Sequence, residues 1–300
     1  MNAISSFTAS LPGACAQGLI WGIMALGVFL TFRVLNTSDL TVDGSIATGG
    51  AACIMLIRSG VPAWTAALLA ACCGMLAGLV TGLLHTRCRI PAILSGILTQ
   101  LALYSVNLRI MGSKANQPVS VDKYSLMLSQ RYVRTAGLSN PIPLLVMIIA
   151  ALIGLAYYFF GTEIGCAVRA TGNNRVMARA QGIDTDRATI LGLVVANGLV
   201  AFSGALLSQY QGFADVNMGR GAIVIGLAAV IIGEVVFGKL LALNFALRMS
   251  SVVFGAIVYY IVLQLVLALG LNTNDLKLIS AVIVAAFLTL PNMKGGDRDA

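Results

Sequence analysis

Residues 62–84 read Pro-Ala-Trp-Thr-Ala-Ala-Leu-Leu-Ala-Ala-Cys-Cys-Gly-Met-Leu-Ala-Gly-Leu-Val-Thr-Gly-Leu-Leu, twenty-three positions without a charge. A helix needs roughly 20 such residues to cross ~30 Å of hydrocarbon at about 1.5 Å per residue. Pro62 stands at the start, where a missing N–H costs nothing. Gly74, Gly78 and Gly82 recur every four residues on one face. Small residues at that interval let a second backbone approach closely where lipid supplies no hydrophobic drive. The stretch predicts a membrane helix packed against another helix.

The rest of the chain repeats the pattern. Further apolar spans lie at about 14–34, 45–57, 91–111, 141–160, 189–211, 221–237, 247–270 and 276–291, and Gly18 and Gly22 repeat the glycine spacing. The 300 residues are 58% hydrophobic and 10% charged, with a mean hydropathy of +0.91. Soluble chains are roughly 45–50% apolar and about 25% charged, so a soluble domain is excluded. Without water in the bilayer core the spans must be helices, and the alternation of a barrel strand is absent. The expected fold is an all-α integral membrane protein, a polytopic bundle of about nine transmembrane helices whose second helix is short or broken.

The net charge of +8 lies in short gaps between spans, where basic residues set topology rather than bind nucleic acid. Placing Arg87 and Arg89 inside, with Arg169, Arg175, Arg179 and Arg187, puts 11 basic residues inside and 8 outside. The N-terminus is then out and the C-terminus in. The expected layout is an external N-terminus at 1–13, a transmembrane domain at 14–292 and a cytoplasmic tail at 293–300. Within the domain, 112–140 is an external loop and 161–188 a cytoplasmic segment. The external loop, with Lys114, Lys123, Arg131 and Arg134, runs against the rule. No Lys or Arg precedes Arg33, which argues against a cleaved signal peptide.

Catalytic signatures are missing. A GxxxxGK spacing at Gly233–Lys239 is followed by Leu240 where a phosphate loop needs Ser or Thr. His85 is the single histidine, and neither HExxH nor GxSxG occurs. Cys15, Cys53, Cys72, Cys73, Cys88 and Cys166 lie in or beside apolar runs and read as buried small hydrophobes. The chain is expected to be no enzyme and to hold no metal or cofactor. Arg33, Arg58, Arg109 and Glu234 fall near span ends, so no chain of intramembrane charges suggests an ion-coupled carrier. Gln100, Asn107, Asn197, Ser203, Gln209 and Gln264 supply neutral polarity inside spans. They serve either interhelical hydrogen bonds or a path for a polar solute.

The segment 161–188 is the most informative: Gly-Thr-Glu-Ile-Gly-Cys-Ala-Val-Arg-Ala-Thr-Gly-Asn-Asn-Arg-Val-Met-Ala-Arg-Ala-Gln-Gly-Ile-Asp-Thr-Asp-Arg-Ala. Gly172 can end one short helix in a left-handed cap, and Asn173 or Asn174 can begin another that stops at Gly182. Arg175 and Arg179 share one face, with Val176, Met177 and Ala180 on an apolar one. Such an element docks into a partner's groove or lies on headgroups.

At these residues the chain resembles permease subunits of bacterial ABC importers, in the branched-chain amino acid and ribose-type family. Within it the likeness is to the single-permease systems for tryptophan, tyrosine and related solutes. Two stretches carry it: Glu163 to Ile183, similar to the family's coupling-helix region, and Asn36-Thr-Ser-Asp-Leu-Thr-Val-Asp-Gly-Ser45, similar to the loop entering its broken second helix. The resemblance implies that Glu163, Arg169, Gly172, Asn173, Asn174, Arg175, Met177, Ala178, Arg179, Gln181 and Gly182 meet a separate ATPase, which binds ATP and Mg. It implies two such ATPase subunits, a second permease copy and an extracytoplasmic solute-binding protein, assembled in the bacterial inner membrane. Asp39 and Asp43 would cap N–H groups freed at the break, with solute binding as the alternative. Asp43, Ser45 and Thr48 join Gln100, Asn107, Asn197, Ser203 and Gln209 as candidate pathway residues. Arg131, Arg134 and Arg220 either meet acidic groups on a binding protein or are solvated charges.

The expected function is the permease subunit of an ATP-driven importer for a small solute, best guessed as an aromatic amino acid. A self-contained carrier or channel is the alternative, and a scaffold or receptor without transport is a third class.

Overall fold

The computed structural model describes residues 3–133, 140–241 and 244–268, with isolated positions between 278 and 285. Ten helices follow in order. They are α1 (Ala3–Phe29, continuing into a wider π turn at Leu30–Val34), α2 (Val42–Arg58), α3 (Ala63–Thr86), α4 (Ala92–Ile110) and α5 (Pro141–Gly161). Then come α6 (Glu163–Asn173), α7 (Arg175–Ala180), α8 (Thr185–Gln211), α9 (Ala222–Leu241) and α10 (Phe245–Ala268).

Six helices among the described residues are long and apolar enough to cross a membrane: Ser10–Val34 within α1, then α3, α4, α5, α8 and α10. This corrects the expected nine. The span at 45–57 is helix α2, of 17 residues, and the one at 221–237 falls within α9, which is not among the six, while 276–291 and the tail at 293–300 lie outside the described residues or touch only isolated positions. The stretch 1–13 is helical from Ala3.

Helices α1 and α8 form the centre of the bundle, with most of their apolar windows buried. Helices α2 and α3 pack on α8, and α9 and α10 on α1. The glycine spacings explain two of these contacts. A Cβ at Gly74, Gly78 or Gly82 would strike α8 at Ala201, Leu193 or Ile190, and one at Gly18 or Gly22 would strike α10 at Ile257 or Val253. Helix α5 is the least buried span, and Met147, Leu155 and Tyr158 stand out from it. Apolar surface of this extent suits lipid, not water. Cys53 is buried as expected, but Cys72, Cys88 and Cys166 are exposed.

Helices α2 and α9 start inside the bundle rather than at its ends. Residues 35–41 are irregular, with Asn36 left-handed at φ 51° and Leu35, Thr37, Asp39 and Thr41 buried. Irregular backbone at membrane depth survives only where protein covers it. Ser45, near the start of α2, bonds to Asn197, which lies near the middle of α8. Helix α9 begins beside the start of α2: Gly219 packs so closely on the Asp43 carbonyl that no Cβ fits.

One feature departs from an all-helical reading. Strand β1 (Asn116–Pro118) pairs antiparallel with β2 (Phe213–Asp215), with Asn116 opposite Asp215. Residues 112–133 fold onto that end of the bundle, burying Val119, Leu128 and Val133. The Met127 N–H donates to Gln209 Oε1 at 3.2 Å.

Candidate functional site

At the end of the bundle opposite the ribbon, α6 and α7 form one rigid elbow. Thr162 Oγ1 accepts from the Gly165 N–H at 3.3 Å and starts α6. Asn174 is extended (φ −152°, ψ 102°), and its Oδ1 accepts from the Met177 N–H at 3.0 Å, starting α7. The cap is therefore Asn174, and Gly182, left-handed at φ 83°, stands just past the end of α7 as expected. Gly172 differs from the reading made of it: it lies within α6 and is not left-handed. It is needed for contact instead, because a Cβ there would meet the Val34 carbonyl oxygen and approach Leu35 Cα to 2.8 Å.

The two arginines of α7 point back to α8. Arg175 Nη2 donates to Thr189 Oγ1 at 3.2 Å. Arg179 Nε donates to Thr185 Oγ1 at 2.7 Å, and its Nη2 to Asp186 Oδ1 at 3.1 Å. Asp184 caps α8 by accepting from the Asp186 and Arg187 N–H groups, and these bonds hold its carboxyl below the usual aspartate range, the Arg187 N–H contributing most. With its charges engaged, α7 turns outward an apolar tip: Val176 is 80% exposed and Met177 63%. Ala180, Glu163, Asn173 and Gln181 are exposed too, whereas Ala178 is buried beneath α7. Arg169 stacks over the Phe245 ring, 5.3 Å from its centroid. Beside it Arg33 holds Glu234 through two guanidinium nitrogens, Nε donating at 2.8 Å, and Arg248 approaches the same carboxylate at 4.0 Å. This pairing joins two residues that the sequence separates by two hundred positions; their common place at span ends of one side was its only trace.

The candidate pathway residues divide into two groups. Ser45 Oγ donates to Asn197 Oδ1 at 2.6 Å, and Asn197 Nδ2 donates to Asp39 Oδ2 at 2.7 Å and to the Leu193 carbonyl at 3.0 Å. Asp39 Oδ1 accepts from the Thr41 N–H. Ser203 donates to the Ile20 carbonyl, Thr48 to the Gly44 carbonyl, and Gln209 to Cys53 and Ala63. These five (Ser45, Thr48, Asn197, Ser203 and Gln209) are buried and bonded within and between helices.

Asp43, Gln100 and Asn107 come together instead around a cavity of about 300 Å³ between α2, α4 and the chain entering α9. Tyr104, Asn217 and Arg220 complete its polar lining. Asp43 accepts from the Gly221 N–H (2.9 Å) and the Ile223 N–H (3.0 Å), so it caps α9 rather than the break before its own helix. Asn107 is buried, yet neither its Oδ1 nor its Nδ2 has a hydrogen-bond partner among the described residues. Arg220 belongs to this cavity and stands apart from Arg131, which pairs with Asp122 at 2.9 Å in the outer loop; Arg134 lies outside the described residues. Tyr104 and Asn217 escaped sequence reading because one lies among apolar neighbours and the other in a loop without periodicity. Among the described residues no three His, Cys, Asp or Glu side chains stand close enough to hold a metal ion.

The family model described as "Branched-chain amino acid transport system / permease component" matches residues 11–288. Over 277 residues the chain is 38% identical to the tyrosine transport system permease protein of Clostridioides difficile (strain R20291), covering 92% of this chain and 90% of that one. It is 32% identical over 285 residues to an uncharacterised protein of Rickettsia prowazekii (strain Madrid E), covering 95% and 98%. An autoinducer 2 import system permease protein of Yersinia pseudotuberculosis (strain IP 31758) is 29% identical over 237 residues, covering 78% and 64%.

Proposed function

The chain belongs to the family of branched-chain amino acid transport system permease components, and from that premise we propose that it pairs with a second copy to form the solute pathway of an ATP-driven importer. It is a non-catalytic, multi-pass permease of the bacterial cell membrane. In the proposal two ATPase subunits dock on α6 and α7, the N-terminus faces outward, and the solute arrives on an extracytoplasmic binding protein at the folded 112–140 loop. The solute is an aromatic amino acid, a reading supported by the name of the Clostridioides difficile relative.

One observation carries this reading above the others: the exposed Val176–Met177 tip on a helix whose own arginines are bonded backward to α8. An apolar knob on a rigid stalk fits a groove in a soluble partner. Because α7 is bolted to α8 and α6 rests on the end of α1 at Gly172, a push on the tip moves the two central helices together. Rigid-body rocking of this kind is how one bundle opens against another.

Affinity purification from native membrane, after crosslinking through a Met177→Cys variant, tests it. Recovery of an ATPase bonded at residue 177, together with a binding protein, is the expected result. A permease that comes alone from gentle detergent, with no crosslinked ATPase, overturns the reading in favour of a self-contained carrier.

A further inference from the structure

We infer that the cavity between α2, α4 and the start of α9 is a solute subsite within the permease itself, one that takes an α-amino acid by its carboxylate at Arg220 and satisfies Asn107 with the solute's second polar group. The inference rests on the permease reading and adds to it a binding step in this chain, separate from selection by any external protein.

Three observations converge. Asn107 is 1% exposed and lines the cavity, yet both atoms of its amide lack a hydrogen bond. A buried amide left unpaired costs free energy, and native proteins rarely keep one without a use. Arg220 is exposed at the same cavity, and none of the ion pairs among the described residues includes it. An arginine fork matches the two oxygens of a carboxylate. Finally, the positive end of α9 is already capped by both oxygens of Asp43, so the charge left for an anionic group is that of Arg220. Leu101, Ala47 and Val216 give the remaining wall apolar character, and Tyr104 adds a ring. At about 300 Å³ the space lies at the lower end of small-molecule sites, the size for one amino acid rather than a peptide. Its place beside the starts of α2 and α9 is where relative motion of these helices would open and close it.

The test uses the permease in lipid nanodiscs with no binding protein. Thermal stabilisation and equilibrium binding are measured with L-tyrosine and then with each other proteinogenic amino acid, and tyramine serves as the probe lacking a carboxylate. The expected result is saturable binding of at least one amino acid. Arg220→Gln and, independently, Asn107→Leu should weaken that binding by about tenfold or more. The matching amine, tyramine in the case of tyrosine, should fail to compete. Arg131→Gln, in the outer loop, should bind as the parent does. Arg220→Gln lies at an exposed position, so its folding is secured if Asn107→Leu proves unstable. No binding by any amino acid, equal binding by both variants, or equal competition by the decarboxylated amine overturns the subsite. ATP-driven uptake by the reconstituted complex, run in parallel, separates the two ideas. Uptake without binding to the permease sinks the subsite alone, and amino acid binding with no ATP-driven uptake of any amino acid sinks the importer reading alone.

Discussion

Asn197 and Asn107 are the same residue in nearly the same setting, each buried on a long membrane helix, and the structure treats them in opposite ways. Asn197 makes three hydrogen bonds and ties α8 to Asp39 and to Ser45 of α2. Asn107 makes none among the described residues and lines a cavity. Buried polarity thus has two uses in one bundle. Where every donor and acceptor is matched, the polar group fixes how helices meet; where it is left open, it waits for something that comes and goes.

The largest expected effect comes from breaking the matched side. Asn197→Leu leaves the Asp39 carboxylate and the Ser45 hydroxyl buried with fewer partners. The loss should be about 3–5 kcal/mol, seen as a permease that fails to accumulate or melts at much lower temperature in detergent. Pairing it with Asp39→Leu should cost less than the sum of the two single changes, because the second removes the carboxyl group that the first left short of a partner. Simple additivity would show that the two residues are not coupled and would dissolve the comparison.

Gly172→Ala comes next. The new methyl meets the backbone of Val34 and Leu35, which cannot rotate away, so α6 must lift from the end of α1. A cost of about 1–3 kcal/mol is expected. ATP hydrolysis by the assembled complex should persist while uptake falls, since the damaged contact lies between the docking element and the central helices. Uptake in proportion to ATP hydrolysis, as in the parent, would show that this contact does not transmit motion.

Asn107→Leu should sit at the other pole. Removing an unpaired amide relieves a desolvation penalty, so stability should change by less than about 1 kcal/mol or rise. A loss as large as that of Asn197→Leu would mean that Asn107 has a structural partner after all.

The contrast also explains what could be read from sequence. The helices, the packing face of Gly74, Gly78 and Gly82, and the α6–α7 elbow were legible because period, spacing and caps are local properties. The cap at Asn174 and the stop at Gly182 are encoded within three residues of where they act. Gly172 was legible as special but not for its reason, since its neighbours Val34 and Leu35, at the end of α1, lie far back in the chain. The polar residues of the spans could be counted but not sorted. Whether an asparagine is bonded depends on residues more than a hundred positions away, as with Asp39 and Asn197. The short helix α2 was half visible for the same reason. Its lack of length is written in the sequence, but the cap that Asp43 gives to α9 is a tertiary contact.

The smallest effect belongs to Asp184, whose matched bonds lie at the surface rather than in the core. Its carboxylate accepts from two N–H groups at the start of α8 and pairs with Arg187 at 3.0 Å, so its folded pKa lies below the unfolded one. The ionised form is therefore the one that folding favours. Its stabilisation is complete above the unfolded pKa and is lost as pH falls through the folded pKa. The melting temperature of Asp184→Ala should sit slightly below that of the parent at about pH 7, and the gap should narrow as pH falls below about 4. A gap that stays constant down to about pH 3 would mean that the charge contributes nothing. The cap would then be a matter of hydrogen-bond geometry alone, as it is at Asn174, where the capping side chain carries no charge.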